Sequence, residues 1–138
     1  MHKALNYMSL ARRGGRIELG EEPCGAAARA GHARLIIVAG DASPHTWRRA
    51  KSYAAGTDQQ CIRLDCTKEE MGFVVGRQSL AIAAITDVQL ALALVNSLGQ
   101  PEKYKACLEV LNEKAVKAKK RQAEAKAHQK NIRKGKKK

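Results

Sequence analysis

The chain has 138 residues, enough for one domain with a hydrophobic core and an additional segment. It carries 26 Lys and Arg against 13 Asp and Glu, a formal net charge of +13, and no apolar run approaches the roughly 20 residues of a membrane-spanning helix. The four cysteines have no paired CxxC spacing, which favours small core residues in a reducing compartment over disulfides or metal ligands. Because the N-terminus also lacks the apolar region of a signal peptide, we expect a cytoplasmic protein without membrane attachment.

The positive charge is concentrated near the C-terminus. Residues 115–138 contain 11 Lys and Arg and one acid, Glu124, for a net charge of +10. Residues 1–114 contain the other 15 basic and 12 acidic residues, for only +3. A basic segment of this kind indicates a polyanionic partner, because binding to phosphates releases their condensed counterions.

The first elements predicted along the chain are two helices separated by a short strand. Apolar residues at helical spacing predict a helix over residues 3–13, which ends at Gly14-Gly15. A brief strand over residues 16–18 follows. A second helix over residues 20–30 has acids near its start and Gly31 as its end.

The central element is the stretch RLIIVAGDASP over residues 34–44. The apolar run over 34–39 is rich in β-branched residues and predicts a strand buried on both faces. Asp41 or Ser43 can cap the helix predicted over 44–55, and Pro44 suits its first position. The intervening loop lies at the carboxyl end of the strand, where open α/β sheets usually bind their ligand.

The remaining elements continue the alternation. An alternating strand is predicted over residues 60–64, and Thr67 with Glu70 forms a capping box for the next helix. A buried strand over 80–85 precedes a final helix that Asp87 can cap. Strict alternation predicts an α/β fold, a three-layer α/β/α sandwich with a four-stranded mixed sheet.

The chain is divided into two regions. Residues 1–100 are predicted to form the sandwich domain, and residues 101–138 a C-terminal basic helical extension. The extension begins with a short helix over 102–114. Residues 115–134 have high helix propensity but no apolar stripe, so we expect them to be helical when docked and frayed when not.

No pattern indicates catalysis. The chain has neither a GxGxxG motif after a strand nor a Walker loop, and its four histidines are dispersed. Asp41, Ser43 and His45 are close in sequence, but helix capping explains residues of this type at a helix start. We therefore predict no catalytic residues, no cofactor and no metal site.

Separated segments together resemble a known RNA-binding family. They are residues 20–31, bounded by glycines; LIIVAGDASP over 35–44; EEMGFVVGR over 69–77; AIAAITD over 81–87; and MSLARRGGRI over 8–17. Their order and spacing resemble the kink-turn-binding large-subunit ribosomal protein superfamily (the L-seven-Ae and L-thirty-e type), above all its YlxQ-like bacterial RNA-binding members. The resemblance covers about residues 3–98 and excludes the basic extension.

The resemblance implies RNA binding by three loops at one end of the sheet, which precede the helices at Gly20 and Asp41 and the strand at Leu80. Its implied partners are RNA, above all ribosomal RNA, and neighbouring ribosomal proteins, and we expect a monomer in the free state. If the loops converge, Arg12, Arg13 and Arg16 would surround the same end. The RNA-binding residues predicted in this region are Arg12, Arg13, Arg16, Gly20, Glu22, Asp41, Pro44, Gly76, Arg77, Gln78, Ser79 and Leu80. Those predicted in the extension are Lys117, Lys119, Lys120, Arg121, Lys126, Lys130, Arg133 and Lys134.

One departure from the family concerns specificity. Kink-turn-binding members carry an Asn-Glu pair and a Lys after the glycine, where this chain has Glu22, Pro23 and Ala26. We therefore expect a weak preference for kink-turns. Two alternatives remain open: an α/β enzyme that uses a nucleotide or methyl donor on RNA, and a nonspecific nucleic-acid-binding protein that acts through its basic extension alone.

Overall fold

A computed structural model of the chain describes residues 3–136, with the side chains of residues 3–127. Over this range helices and strands alternate as the sequence predicts, up to the last two elements, which are both helical. The elements are α1 (Lys3–Arg13), β1 (Ile17–Leu19), α2 (Glu21–Arg29), β2 (Leu35–Val38), α3 (Pro44–Ala54), β3 (Gln60–Arg63), α4 (Lys68–Phe73), β4 (Ile82–Ile85), α5 (Val88–Ser97) and α6 (Lys105–Lys136).

The strands form one mixed sheet with the order β1-β4-β2-β3. β4 is antiparallel to both of its neighbours, whereas β2 and β3 are parallel. The carboxyl ends of β1, β2 and β3 therefore lie at the same end of the sheet as the start of β4. We call this the loop end, and the opposite end, where β1, β2 and β3 begin, the far end.

Helices cover both faces of the sheet, which confirms the predicted three-layer sandwich. Leu35, Ile37 and Ile85 are fully buried on one face, in a core completed by α1, α4, α5 and α6. Ile36 and Val38 are fully buried on the other face, against α2 and α3. β2 alternates between two apolar cores, which is why its sequence is an unbroken apolar run.

The C-terminal helix differs from the prediction. α6 continues without a break through residue 114, where a short helix was expected to end. Cys107, Leu111 and Ala115 are buried at four-residue spacing and attach the first part of α6 to the domain. Residues 119–127 are all exposed. Within residues 3–136, no helix has both the length and the apolar character that crossing a membrane requires. The division of the chain into domains at residue 100 stays a prediction.

Candidate nucleic-acid interface

Backbone hydrogen bonds join the three predicted loops at the loop end. The N–H of Gly20 donates to the carbonyl of Ile82 at 3.0 Å, and the N–H of Ala39 donates to the carbonyl of Ala81 at 2.9 Å. The loops that follow β1 and β2 thus both adjoin the residues around the start of β4. The topology therefore places these loops side by side.

Arg77 lies over the start of α2. Gly20, the residue before this helix, has φ of 97°, and a Cβ there would lie only 3.8 Å from Nη1 of Arg77. No side chain caps α2 at this position. The N–H groups of Glu21 and Glu22 begin the helix, and such first-turn groups have no intrahelical partner. The start of α2 therefore combines free backbone donors, a positive dipole end and a guanidinium.

Two acids moderate the positive potential at this position. Glu21 forms an ion pair with Arg49, with 3.8 Å between Oε1 and Nε, and both side chains are substantially exposed. Glu22 is exposed. The carboxylate of Glu22 therefore opposes the attraction that Arg77 exerts on an anion.

The segment that carries Arg77 is held closely against α4. The N–H of Arg77 donates to the carbonyl of Gly72 at 2.8 Å. A Cβ at Gly72 would lie 2.8 Å from both the carbonyl oxygen of Arg77 and the nitrogen of Ser79. Arg77, Gln78 and Ser79 are exposed, and Gly76 has φ of 75° in the turn before them.

Leu80 differs from the other predicted contact residues because its side chain is buried in the core. Its N–H donates to the carbonyl of Lys68 at 2.9 Å. It also precedes β4, which begins at Ile82 although the strand was predicted from residue 80. Leu80 therefore anchors the loop through its buried side chain, and its predicted contact with RNA stays a prediction.

Ser43 and Asp41 have separate structural roles. Ser43 is the residue that caps α3, because its hydroxyl accepts from the N–H of Thr46 at 3.2 Å, and the exposed Pro44 occupies the first helical position. Oδ1 of Asp41 instead accepts from the N–H of Lys68 at 2.8 Å. Asp41 thus joins the loop after β2 to the start of α4.

The predicted position of Arg12, Arg13 and Arg16 is wrong. Arg16 precedes β1, and its carbonyl accepts from the N–H of Thr86, which follows β4, at 2.9 Å. Arg12 and Arg13 end α1 next to it. All three are exposed at the far end, because the start and the carboxyl end of β1 are at opposite ends of the sheet.

The basic part of α6 also lies at the far end. Tyr104, just before α6, lines a groove with Gly40 near the loop end, whereas Lys114 pairs with Asp58, which precedes β3, at 2.9 Å. The helix therefore runs from the loop end to the far end and continues beyond it. Lys117, Lys119, Lys120, Arg121 and Lys126 are exposed, and the side chains of Lys130, Arg133 and Lys134 lie outside the described residues.

Three of the four cysteines, Cys24, Cys66 and Cys107, are buried, and Cys61 is partly buried. Burial raises the pKa of Cys24 and Cys61 to about 12 and that of Cys66 and Cys107 to about 11. A neutral thiol is a poor nucleophile and a poor metal ligand. In the described part of the chain, no cluster of three or more His, Cys, Asp and Glu residues could hold a metal ion.

Comparison with solved structures shows that other proteins have a similar fold. The sequence matches no protein-family model and no curated protein. A Bacillus halodurans protein of unknown function superposes with a TM-score of 0.66 at 20% identity, over 72% of this chain and 99% of that one. A Giardia lamblia 15.5-kDa RNA-binding protein superposes with a TM-score of 0.59 at 19% identity, over 72% of this chain and 84% of its own.

Proposed function

We propose that this protein binds structured RNA through its loop end, without catalysis, as a ribosomal or ribosome-associated protein. The observation that carries the proposal is the position of Arg77 over the uncapped start of α2. The fold-level likeness to the Giardia lamblia RNA-binding protein supports it from an independent direction. The buried, protonated cysteines make a thiol-based reaction unfavourable.

A backbone phosphate fits the chemistry at the start of α2. The helix offers two N–H groups and the positive end of its dipole, and the planar guanidinium of Arg77 can donate two parallel hydrogen bonds to phosphate oxygens. Gln78 and Ser79 are exposed beside Arg77, and their side chains can both donate and accept hydrogen bonds. These groups provide a positive, hydrogen-bonding surface for folded RNA.

Ribosomal RNA is the proposed target, and the evidence for it comes from the sequence. The motifs over residues 8–87 resemble ribosomal kink-turn-binding proteins, and the +10 charge of residues 115–138 favours a long polyanion. We propose that the protein is a monomer when free, that ribosomal proteins are its neighbours when bound, and that it acts in the cytoplasm.

The test compares two exposed arginines near opposite ends of α2. Arg77→Gln removes the guanidinium above the start of the helix, and Arg29→Gln removes the one in its last turn. Affinities for transcribed fragments that tile large-subunit ribosomal RNA are measured by fluorescence anisotropy at one fixed salt concentration. We expect Arg77→Gln to weaken binding about five- to tenfold, on the order of 1 kcal/mol, and Arg29→Gln less than twofold.

Equal affinities of the two variants would contradict binding at the loop end. If both variants also retained the full affinity of the unmodified chain for every fragment, the basic extension alone would account for binding. The nonspecific alternative would then be the better description of the function.

A further inference from the structure

A basic cleft lies at the far end of the sheet, between the start of β2 and the middle of α6. Its charged lining consists of Arg34, Asp58, Lys114, Lys117 and Arg121, and its volume is about 190 Å³. We call it the far-end cleft. Arg34 and Lys114 are not in the predicted RNA-contacting set, and the structure places them beside Lys117 and Arg121, which are.

The cations of this cleft exceed its acids. Asp58 pairs with Lys114 at 2.9 Å, and the hydrogen bond from Lys114, with a smaller contribution from the charge of Arg34, lowers the pKa of Asp58, so one carboxylate faces four cations. Glu113 lies 3.5 Å from Lys117, but both side chains are largely exposed, and such pairs contribute little. Within residues 3–127, no acid forms an ion pair with Arg34 or Arg121.

The packing of α6 places three of these cations on the same side of the helix. Lys114, Lys117 and Arg121 are three and four residues apart, so they share one face of α6, and the buried Leu111 and Ala115 fix that helix against α5. The cationic face of α6 therefore lies beside the start of β2.

Arg34 is positioned by hydrogen bonds on both sides. Oε1 of the buried Gln59 accepts from the N–H of Ala33 at 3.0 Å, while its Nε2 donates to the carbonyl of Ala28 at 3.1 Å. The carbonyl of Arg34 accepts from the N–H of Gln60 at 3.4 Å. The side of the cleft formed by β2 is thus as well defined as the side formed by α6.

We infer that the far-end cleft binds the backbone phosphates of a second RNA segment, so that one chain joins two segments from opposite ends of its sheet. The choice of RNA as the occupant rests on the proposed function. Arg34 and Arg121 supply planar forks that match phosphate oxygens, and Lys117 supplies a third cation. Arg12, Arg13 and Arg16 extend the positive surface at this end of the sheet.

The two ends act as separate sites because of their spacing. Arg34 and Ala39, which flank β2 at its two ends, are five residues apart, a separation of about 17 Å at the rise of a strand. That distance exceeds the Debye length of about 8 Å at physiological ionic strength, so the charges at one end are screened from the other. Beyond Ala118, α6 continues for about 27 Å at 1.5 Å per residue and carries further cations away from the domain.

The experiment measures bridging by the full chain. A fragment of large-subunit ribosomal RNA that binds the chain is immobilised through biotin, the protein is added to saturation, and capture of a fluorescent copy of the same fragment is recorded. The cleft variant is Arg34→Gln/Lys117→Gln/Arg121→Gln. The control is Arg29→Gln/Arg48→Gln/Lys105→Gln, which removes the same three charges from exposed positions outside the cleft.

We expect the unmodified chain and the control to capture the second RNA, and the cleft variant to capture at least tenfold less. Because Lys117 and Arg121 also belong to the basic extension, the affinity of each variant for the immobilised RNA is measured separately, and capture is compared at equal occupancy of that RNA. A charge reversal at two exposed positions, Lys117→Glu/Arg121→Glu, should abolish capture without any change in the core. Light scattering measures the oligomeric state of the free protein, which must be a monomer if one chain joins the two RNA segments.

The outcomes separate this inference from the proposed function. If the chain binds one RNA but the cleft variant and the control capture the second equally, the inference is overturned while loop-end binding stands. If the unmodified chain captures no second RNA, the inference also fails, and an acidic protein segment becomes the candidate occupant of the cleft. If no ribosomal RNA fragment binds at all, the proposed function itself fails.

Discussion

Oδ1 of Asp41 accepts a hydrogen bond of 2.8 Å from the N–H of Lys68, 27 residues further along the chain. The carbonyl of Lys68 in turn accepts from the N–H of Leu80 at 2.9 Å. Thr67 and Glu70 form the capping box of α4, which leaves the N–H of Lys68 without a partner in its own helix. Asp41 satisfies that donor and thereby ties the loop after β2 to the segment that carries Arg77.

Replacement of Asp41 should therefore loosen the loop end. Asp41→Ala leaves the N–H of Lys68 to water, and we expect the free energy of unfolding to fall by about 1 kcal/mol. The control is Asp65→Ala, which removes the same charge from an exposed residue just after β3. Urea denaturation of both variants measures the difference, and equal midpoints would show that the bond to Lys68 contributes nothing.

Gly72 should tolerate no side chain. A Cβ there would lie 2.8 Å from backbone atoms of Arg77 and Ser79, which cannot rotate away as a side chain can. We expect Gly72→Ala to lower stability by about 1–3 kcal/mol and to weaken RNA binding, since the segment with Arg77 must move. The control is Gly14→Ala, whose Cβ would have its nearest neighbour at an ordinary 3.5 Å. A Gly72→Ala protein as stable as the control would contradict the close packing described for this segment.

The raised pKa values of the cysteines predict how the stability of the protein changes at alkaline pH. Burial raises the pKa of Cys24 from 9.0 to about 12, so the folded chain keeps a proton that the unfolded chain loses above pH 9. The contribution of the thiols to stability is therefore complete below pH 9 and is lost as the pH rises towards 12. We expect the urea midpoint to fall between pH 9 and pH 11.

Alkylation gives an independent measure of the same property. At pH 8 iodoacetamide should label the native cysteines at least a hundredfold more slowly than the urea-unfolded ones, because thiolate is the reactive form. Fast labelling of all four in the native state would show that they are not core residues. The Cys24→Ser variant gives the share of the residual rate that comes from Cys24.

Local signals in the sequence were sufficient to predict most of the helices and strands. The capping box at Thr67 and Glu70 and the cap at Ser43 follow from contacts within four residues, and the unbroken apolar run of β2 follows from burial on both faces. Each of these features depends on residues that are close together in the sequence. Helix and strand positions could therefore be predicted without knowledge of the sheet.

The positions of the basic residues depend on the directions in which β1 and α6 run through the domain. Arg16 was expected near Arg77, but Gly20 follows β1 at the loop end, so Arg16, which precedes β1, lies at the far end. Lys114 resembles its neighbours in the sequence, and only the direction of α6 brings it to Asp58. Gln59 shows the same limit, since glutamine is ordinarily exposed and here is buried between two backbone partners.

The strongest test of specificity concerns the first turns of α2. Members of the kink-turn-binding family that the sequence resembles meet the kink-turn there through an amide, a carboxylate and an ammonium group, where this chain has Glu22, Pro23 and Ala26. A carboxylate only accepts hydrogen bonds where an amide also donates, proline has no N–H, and alanine has no cation. Each lost base-specific contact costs about 1–3 kcal/mol, so two or three losses remove most of the discrimination.

We therefore predict that the full chain prefers a standard kink-turn over a duplex of equal length by less than about tenfold at physiological salt, as measured by competition titration. The variant Glu22→Asn/Pro23→Glu/Ala26→Lys should gain preference for the kink-turn, and all three positions are exposed, so the substitutions leave the core unchanged. The control is Glu109→Gln, at an exposed position of α6, because it changes the net charge by the same +1 as the triple variant. A hundredfold preference of the unmodified chain, about 2.7 kcal/mol, would show that Arg77 and the backbone donors of α2 suffice for recognition.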